Sequence, residues 1–234
     1  MKGLSISEHF YSLQGEGITM GVPSVFLRLT GCNLLCEGDW ICDTIEVWRK
    51  GDKYTHDKVM EMFEDNYSEL FKQGVHLVIT GGEPVLQQKE LEVFLRKYFE
   101  KHSMLPFLEL ETNGTKKLSN GLFDIITLIN CSPKLSNSGE PYNKRIKEDV
   151  LKQINKHKFS IFKFVITKKE DWCEVLKIIT DFDLDKKKVV LMPGADDEDM
   201  LKENSLMVAE ICKENHILYS SRLQIEIWNK TTGV

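Results

Sequence analysis

From residue 75 onward, short apolar runs alternate with segments in which apolar side chains recur at helical spacing. Residues 75–80 are rich in β-branched side chains and end at Gly81-Gly82, which predicts a strand followed by a turn. Leu91, Phe94 and Leu95 then follow the spacing of a helix over residues 88–101. Repeated β-α alternation of this kind predicts an α/β fold with a mostly parallel sheet flanked by helices.

The same pattern continues towards the C-terminus. Further strands are predicted over residues 107–111, 125–129, 161–166, 189–192 and 223–228, and further helices over 144–157, 169–180 and 198–214. No linker or internal repeat divides the sequence, so a single domain over residues 1–234 is predicted. Residues 81–84, 111–114 and 132–134 each follow a predicted strand, where the functional residues of parallel sheets lie.

Composition narrows the class of protein. The chain has 41% hydrophobic and 29% charged residues, which is typical of a globular protein, and no apolar run approaches the ~18 residues of a membrane span. Its net charge of -5 and its dispersed lysines argue against nucleic acid as a partner. Because the start of the sequence has no signal-peptide pattern, we expect a cytoplasmic protein that binds neither membrane nor nucleic acid.

Three of the six cysteines, Cys32, Cys36 and Cys42, lie within eleven residues. In a reducing compartment, thiols this close together indicate metal or redox chemistry. A structural zinc site would need a fourth ligand, and the nearest downstream histidine, His56, would need a loop to reach the cysteines. Three thiolates can instead hold a four-iron four-sulfur cluster and leave one iron open. A zinc site completed from afar and unliganded buried thiols are the alternatives.

The residues around the cysteines resemble those of radical S-adenosylmethionine (SAM) enzymes. Residues 25–33 are similar to the segment that enters the cluster loop of that superfamily, and residues 79–84 are similar to its glycine motif. The resemblance implies a partial, shortened radical SAM β/α barrel. It also implies that a cluster-bound SAM supplies the radical that carries the chemistry.

The spacing of the cysteines departs from the superfamily pattern at one place. The first gap holds the usual three residues, whereas the gap between Cys36 and Cys42 holds five in place of two. We therefore expect residues 37–41 to form an enlarged loop that bulges outward, while Cys42 and Thr44 keep their positions relative to the cluster.

Other segments resemble the 7-carboxy-7-deazaguanine synthase family within this superfamily; they are residues 8–17, 21–24, 111–114, 132–134 and 228–234. Members of that family convert 6-carboxy-5,6,7,8-tetrahydropterin to 7-carboxy-7-deazaguanine with loss of ammonia, on the route to queuosine-type deazapurines. The resemblance implies a pterin substrate, SAM and Mg²⁺ as cofactors, a homodimer, and an electron donor such as flavodoxin or ferredoxin.

The resemblance also assigns roles to individual residues. It places the pterin site at Leu13, Gln14, Gly15, Glu16, Arg28 and Thr80. It places the SAM site at Gly82, Glu83, Ser132, Pro133 and Lys134. The expected metal ligands are Cys32, Cys36 and Cys42 for the cluster and Thr44 for Mg²⁺, with Asp43 as the competing magnesium ligand.

Several of these residues also have a structural explanation. Arg28 could form an internal ion pair instead of binding the substrate carboxylate, Lys134 could be solvated, and Glu111 and Asn113 could serve the turn that Asn-Gly indicates. Asp43-Thr44 could cap the next segment. The remaining thiols are expected to be buried: Cys131, Cys173 and Cys212. A glycyl-radical activating enzyme and a non-catalytic iron–sulfur or zinc module are the competing functions.

Overall fold

The computed structural model describes residues 2–42, 44–229 and 231. Its strands are β1 (Leu4–Leu13), β2 (Pro23–Leu29), β3 (Asp52–Tyr54), β4 (His76–Gly81), β5 (Leu108–Thr112), β6 (Leu128–Cys131), β7 (Ser160–Ile166), β8 (Val189–Pro193) and β9 (Leu218–Tyr219). In the described chain these nine strands form one sheet in the order β3-β1-β2-β4-β5-β6-β7-β8-β9. All pairs from β2 to β9 are parallel, and β1 is antiparallel to both of its neighbours.

The helices are α1 (Ile45–Trp48), α2 (His56–Lys72), α3 (Gln88–His102), α4 (Asn120–Ile125), α5 (Tyr142–Arg145), α6 (Glu148–Asn155), α7 (Asp171–Phe182), α8 (Glu198–Asn215) and α9 (Leu223–Trp228). Helix α2 illustrates how they pack. Thr55 caps it by accepting a hydrogen bond from the backbone of Lys58, and its apolar stripe includes the buried Val59, Phe63 and Tyr67. This stripe belongs to the main hydrophobic core together with the apolar faces of the strands.

The strand register brings polar side chains to one edge of the sheet. Arg28 on β2 is paired with Thr80 on β4, and Glu111 on β5 is paired with Asn130 on β6. Their neighbours on each strand point to the other face, because successive side chains alternate; Leu27, for example, is fully buried in the core. The carboxyl ends of the parallel strands therefore present a polar surface above an apolar layer.

The predicted α/β class with a mostly parallel sheet is confirmed. The strand predicted over 75–80 and the helix over 88–101 are found as β4 and α3, within one residue of their predicted bounds. The strands predicted over 107–111, 161–166 and 189–192 and the helices over 169–180 and 198–214 are found with similar accuracy. The prediction of a single domain over the whole sequence stays a prediction.

Three predicted elements are wrong. Residues 223–228 form helix α9 instead of a strand, although Leu223, Ile225 and Ile227 alternate with polar residues. The alternation does not reflect burial, because Ile225 is buried whereas Ile227 is 49% exposed. The helix predicted over 144–157 is split into α5 and α6 at the extended residue Ile146. The strand predicted over 125–129 begins only at Leu128, because α4 extends to residue 125.

Other parts of the fold were missed or misjudged. Residues 8–13, which alone are typical of a loop, belong to strand β1, and helix α2 was not predicted. Cys131 and Cys212 are buried as predicted, but Cys173 is exposed on α7. None of the helices in the described part of the chain combines the length and the apolar content needed to cross a bilayer.

Candidate active site

A cavity of about 290 Å³ opens at the carboxyl ends of the parallel strands. All three clustered cysteines line it, and so do Arg28 from β2 and Lys134 from the segment after β6. Of the sequence-predicted site residues, the cavity brings together Leu13, Gln14, Gly15, Glu16, Arg28, Cys32, Cys36, Cys42, Thr44, Thr80, Gly82, Ser132 and Lys134. Glu83 and Pro133 are buried behind this lining.

The enlarged gap between the second and third cysteines is closed by a hairpin. The backbone N–H of Cys42 donates to the carbonyl of Cys36 at 3.1 Å, and residues Glu37 and Ile41 form an antiparallel bridge. Ile41 at the base of the hairpin is 59% exposed. The extra residues therefore bulge outward as expected, and the two cysteines are held next to each other.

The hairpin is attached to the loop that follows β6. The N–H of Asp39 donates to the carbonyl of Asn137 at 2.7 Å, and the indole N–H of Trp40 donates to Asn137 Oδ1 at 3.1 Å. Gly38 packs so closely on the backbone of residues 137–139 that a Cβ at this position would collide with it. Only glycine fits there without displacing one of the two loops.

The thiols share a partly buried, electrostatically mixed environment. Burial raises the pKa of Cys36 to about 11 and also raises that of Cys32, while the ammonium group of Lys134 acts in the opposite direction on both. Asn113 Nδ2 lies 3.9 Å from Cys32 Sγ. A bound metal would provide the stronger positive charge that thiolates require. This donor set of three thiols and nearby N–H groups fits an iron–sulfur cluster.

Single-ion coordination is not the arrangement found. In the described part of the chain, no three His, Cys, Asp or Glu side chains are grouped as ligands of one metal ion. The thiols of a cubane cluster bind different irons, so they do not have to converge on one point. The spacing of the cysteines around the cavity thus agrees with a cluster better than with zinc.

The glycine motif supports the cluster loop. A Cβ on Gly82 would collide with Gly31 and with the side chain of Cys32, so the two loops are in van der Waals contact through the glycine. The N–H of Glu83 donates to the carbonyl of Gly31 at 2.9 Å. This close packing explains physically why the motif needs glycine at this position.

The side chain of Glu83 is 0% exposed and faces the protein interior. Its carboxylate accepts hydrogen bonds from Thr112 Oγ1 at 2.9 Å, from the N–H of Asn113 at 2.7 Å and from the N–H of Val85 at 2.9 Å. Burial raises the pKa of Glu83, and these hydrogen bonds and Lys134 act against that rise. The geometry gives Glu83 the role of holding the segment after β5 rather than of lining the cavity.

The segment after β6 contributes a cation beside the thiols. Lys134 Nζ donates to Ser132 Oγ at 3.1 Å and lies 5.3 Å from the ring centroid of Trp40. The carbonyl of Lys134 accepts from Arg145 Nη1 at 2.8 Å, which fixes the backbone of this segment. Lys134 is thus positioned over the cavity rather than freely solvated.

Gln14 and Thr80 belong to a buried polar network at the floor of the cavity. Gln14 Nε2 donates to Glu109 Oε1 at 2.6 Å and to Glu111 Oε1 at 3.3 Å, and Thr80 Oγ1 donates to Glu111 Oε2 at 3.2 Å. Leu13 and Gly15 flank Gln14 in the lining. The structure therefore supports the predicted grouping and adds Glu109, which sequence reasoning did not identify.

Glu16 lies in a charged cluster that sequence reasoning missed. Its carboxylate accepts from Lys163 Nζ at 2.5 Å, from Arg222 Nε at 3.2 Å and from Gln224 Nε2 at 2.8 Å. Burial alone would raise the pKa of Glu16, but the two cations outweigh it and hold that pKa well below its usual range. A lysine in the otherwise apolar strand predicted over 161–166 was the available signal for Lys163.

Arg28 has both the contacts that were considered for it. Its Nε donates to Glu8 Oε1 at 2.7 Å across the β1–β2 pair, so a structural ion pair is present. The same guanidinium lines the cavity, and none of the described residues hydrogen-bonds its terminal nitrogens. Glu8 thus orients the guanidinium and leaves its outer edge available to a ligand.

Thr44 lies beside the third cysteine. Its Oγ1 is 3.4 Å from Cys42 Sγ, and it is the residue before α1 without using its side chain as a cap. The capping explanation therefore does not apply to Thr44. The competing magnesium ligand, Asp43, lies outside the described residues. Asn113 does serve the turn, because its Oδ1 accepts from Thr115 at 3.0 Å.

Comparison with known proteins follows from this geometry. A family model for a "4Fe-4S single cluster domain" matches residues 13–122. A 7-carboxy-7-deazaguanine synthase of Halobacterium salinarum is 31% identical, with 97% of this chain and 91% of the relative covered. One from Pyrobaculum aerophilum is 30% identical, with 97% and 96% covered. The chain belongs to the 7-carboxy-7-deazaguanine synthase family.

Solved structures agree on the fold of this family. The crystal structure of QueE from Escherichia coli superposes with a TM-score of 0.68 at 23% identity, with 95% of each chain covered. The enzyme anSMEcpe with bound AdoMet superposes with a TM-score of 0.55 at 16% identity, with 81% of this chain and 58% of the neighbour covered. The predicted radical SAM fold is therefore confirmed.

Membership in the 7-carboxy-7-deazaguanine synthase family also decides between the functions considered. The predicted iron–sulfur cluster and SAM cofactor are confirmed by the family and by the matching cluster domain. The glycyl-radical activating enzyme and the non-catalytic metal module are not favoured. The roles of individual site residues, Mg²⁺ and the homodimer stay predictions.

Proposed function

We propose that this chain converts 6-carboxy-5,6,7,8-tetrahydropterin to 7-carboxy-7-deazaguanine with release of ammonia. One observation carries this proposal: a single cavity joins the three cluster thiols to an arginine that is oriented from behind by Glu8. The family relationship supplies the reaction, and the cavity supplies a place in which a cluster, SAM and a carboxylated substrate could lie together.

Arg28 would bind the carboxylate of the substrate. A guanidinium presents a planar set of donors that matches a carboxylate, and such charge-assisted hydrogen bonds are stronger than neutral ones. With Nε held by Glu8, the outer edge of the group faces the cavity in a fixed orientation. Arg28→Lys keeps the charge but loses this shape, so we expect weaker pterin binding by roughly 1–3 kcal/mol and nearly unchanged SAM binding.

Cys32, Cys36 and Cys42 would hold the cluster, and Gly82, Ser132, Pro133 and Lys134 would form the SAM site. When bound, the cluster and SAM supply the radical that abstracts hydrogen from the substrate. The chain's own contribution is to fix the cluster loop through Gly82 and to place the Lys134 cation beside it. Glu83 would act on SAM through the loop that it anchors.

Thr44 would bind Mg²⁺ through its hydroxyl. It lines the cavity next to Cys42 and has no capping role, so the hydroxyl is available to a hard cation. Mg²⁺ usually keeps water or substrate oxygens in its coordination sphere, and one protein hydroxyl is therefore sufficient to locate it. We further propose a cytoplasmic homodimer that receives electrons from a flavodoxin or ferredoxin.

The proposed function is tested by an anaerobic assay of reconstituted protein with 6-carboxytetrahydropterin, SAM, dithionite and Mg²⁺. We expect 7-carboxy-7-deazaguanine by mass spectrometry and about four irons per chain. Cys36→Ala should remove most of the iron and the activity, whereas Cys173→Ala, which changes an exposed thiol on α7, should leave both intact. Tight stoichiometric zinc without iron uptake, or a reconstituted protein that makes no product, would refute the proposal.

A further inference from the structure

A buried amide at the floor of the cavity has a free acceptor. Asn130 on β6 is 1% exposed, lines the cavity, and donates through Nδ2 to Glu109 Oε1. Its Oδ1 is also buried, and it has no hydrogen-bond partner among the described residues. A buried carbonyl without a donor is costly, so this atom needs a donor that the described residues do not provide.

The orientation of this amide is determined by its neighbours. Besides Asn130, Glu109 accepts from Gln14 Nε2 at 2.6 Å and from Thr19 Oγ1 at 2.9 Å. A carboxylate surrounded by donors has no hydrogen to offer to an amide oxygen. If the amide of Asn130 were turned over, two oxygens would face each other, so Oδ1 must point away from Glu109.

Gln14 shows that the free acceptor is not a general property of this floor. Its Nε2 is bound by Glu109 and Glu111, and its Oε1 accepts from the N–H of Glu16 at 3.2 Å. Both ends of that amide are satisfied within the protein. Of the two amides bound to Glu109, Asn130 alone keeps an unpaired end, and it is the end that a ligand could reach.

The position of Asn130 indicates which end of a pterin would reach it. Strands β2, β4, β5 and β6 are consecutive in the sheet, so Arg28 and Asn130 are separated by three strand spacings, about 14 Å along the sheet. With the substrate carboxylate at Arg28, the opposite end of the bicyclic ring points towards β6. That end carries the 2-amino group, which has N–H donors and is far from the carboxylate.

We propose that Asn130 is a specificity-determining residue that accepts a hydrogen bond from the 2-amino group of the pterin. This inference rests on the proposed function. It implies that Glu109 acts as a positioning residue, since it holds the amide with its oxygen towards the substrate. A ligand with a carbonyl oxygen in place of the amine would bring two acceptors together and would be rejected.

The test compares 6-carboxytetrahydropterin with the analogue in which an oxygen replaces the 2-amino group. Wild-type holoenzyme should prefer the amine by at least about a hundredfold in kcat/KM. Asn130→Ala should raise KM for the amine by about tenfold and should reduce the preference to severalfold. Glu109→Gln, whose amide can accept or donate, should also reduce the preference, and it serves as a second variant if Asn130→Ala does not fold.

Asn155→Ala is the matched control, because Asn155 on α6 bonds to the carbonyl of Asp183 at 3.1 Å outside the cavity. It should leave the preference unchanged. If Asn130→Ala lowers the rates with both compounds by the same factor, Asn130 has only a structural role and the inference is wrong, while the proposed function stands. If wild-type enzyme turns over neither compound, the proposed function fails and this inference fails with it.

Discussion

Replacing Lys163 by methionine would remove the central cation of the buried charged cluster. The ammonium group is 5% exposed and lies 2.5 Å from Glu16 Oε2 and 3.8 Å from Glu111 Oε1. Breaking a buried ion pair costs about 3–5 kcal/mol, because the remaining charge stays desolvated. Arg222 remains within 3.2 Å of Glu16, so we expect a loss near the lower end, about 3 kcal/mol of unfolding free energy.

The measurement is urea unfolding of the cluster-free protein under reducing conditions. Lys97→Met is the matched control, since Lys97 forms a 2.8 Å ion pair with Asp57 whose side chains are 44% and 87% exposed. Solvent screens such a pair, so this change should cost far less. Glu16→Gln combined with Lys163→Met should be less destabilising than the sum of the two single changes. Equal losses in Lys163→Met and Lys97→Met would refute the reasoning.

Three further predictions concern pH, the hairpin and magnesium. The pKa of Glu16 is lowered on folding despite its burial, so its stabilising effect is complete at neutral pH and declines below about pH 4; Glu16→Gln should flatten that decline in pH-dependent unfolding measurements. Gly38→Ala should displace the hairpin from Asn137 and lower the iron content after reconstitution, and a normal iron content would contradict the packing argument. Thr44→Val should abolish the stimulation of turnover by Mg²⁺ while the cluster on Cys42 is retained; unchanged stimulation would exclude Thr44 as the ligand.

The sequence alone determined the β-α alternation, the cluster cysteines and the edge of the sheet at which the site lies. These features are local: a helix or strand pattern repeats within a few residues, and three thiols within eleven residues cannot be far apart. The resemblance of the glycine motif and of the cysteine segment to one family was sufficient to predict its cofactors. Even the outward bulge of residues 37–41 followed from the need to keep Cys36 and Cys42 together.

Only the tertiary structure decided which polar side chains face one another. Glu16 meets Lys163 and Arg222 across separations of 147 and 206 residues, so no local pattern relates them. The same contacts accompany the helical form of residues 223–228, where alternation had predicted a strand, since Arg222 and Gln224 both reach Glu16 from there. Hydrogen bonding in the interior is a property of the assembled sheet, because each buried donor must find an acceptor on another strand or loop.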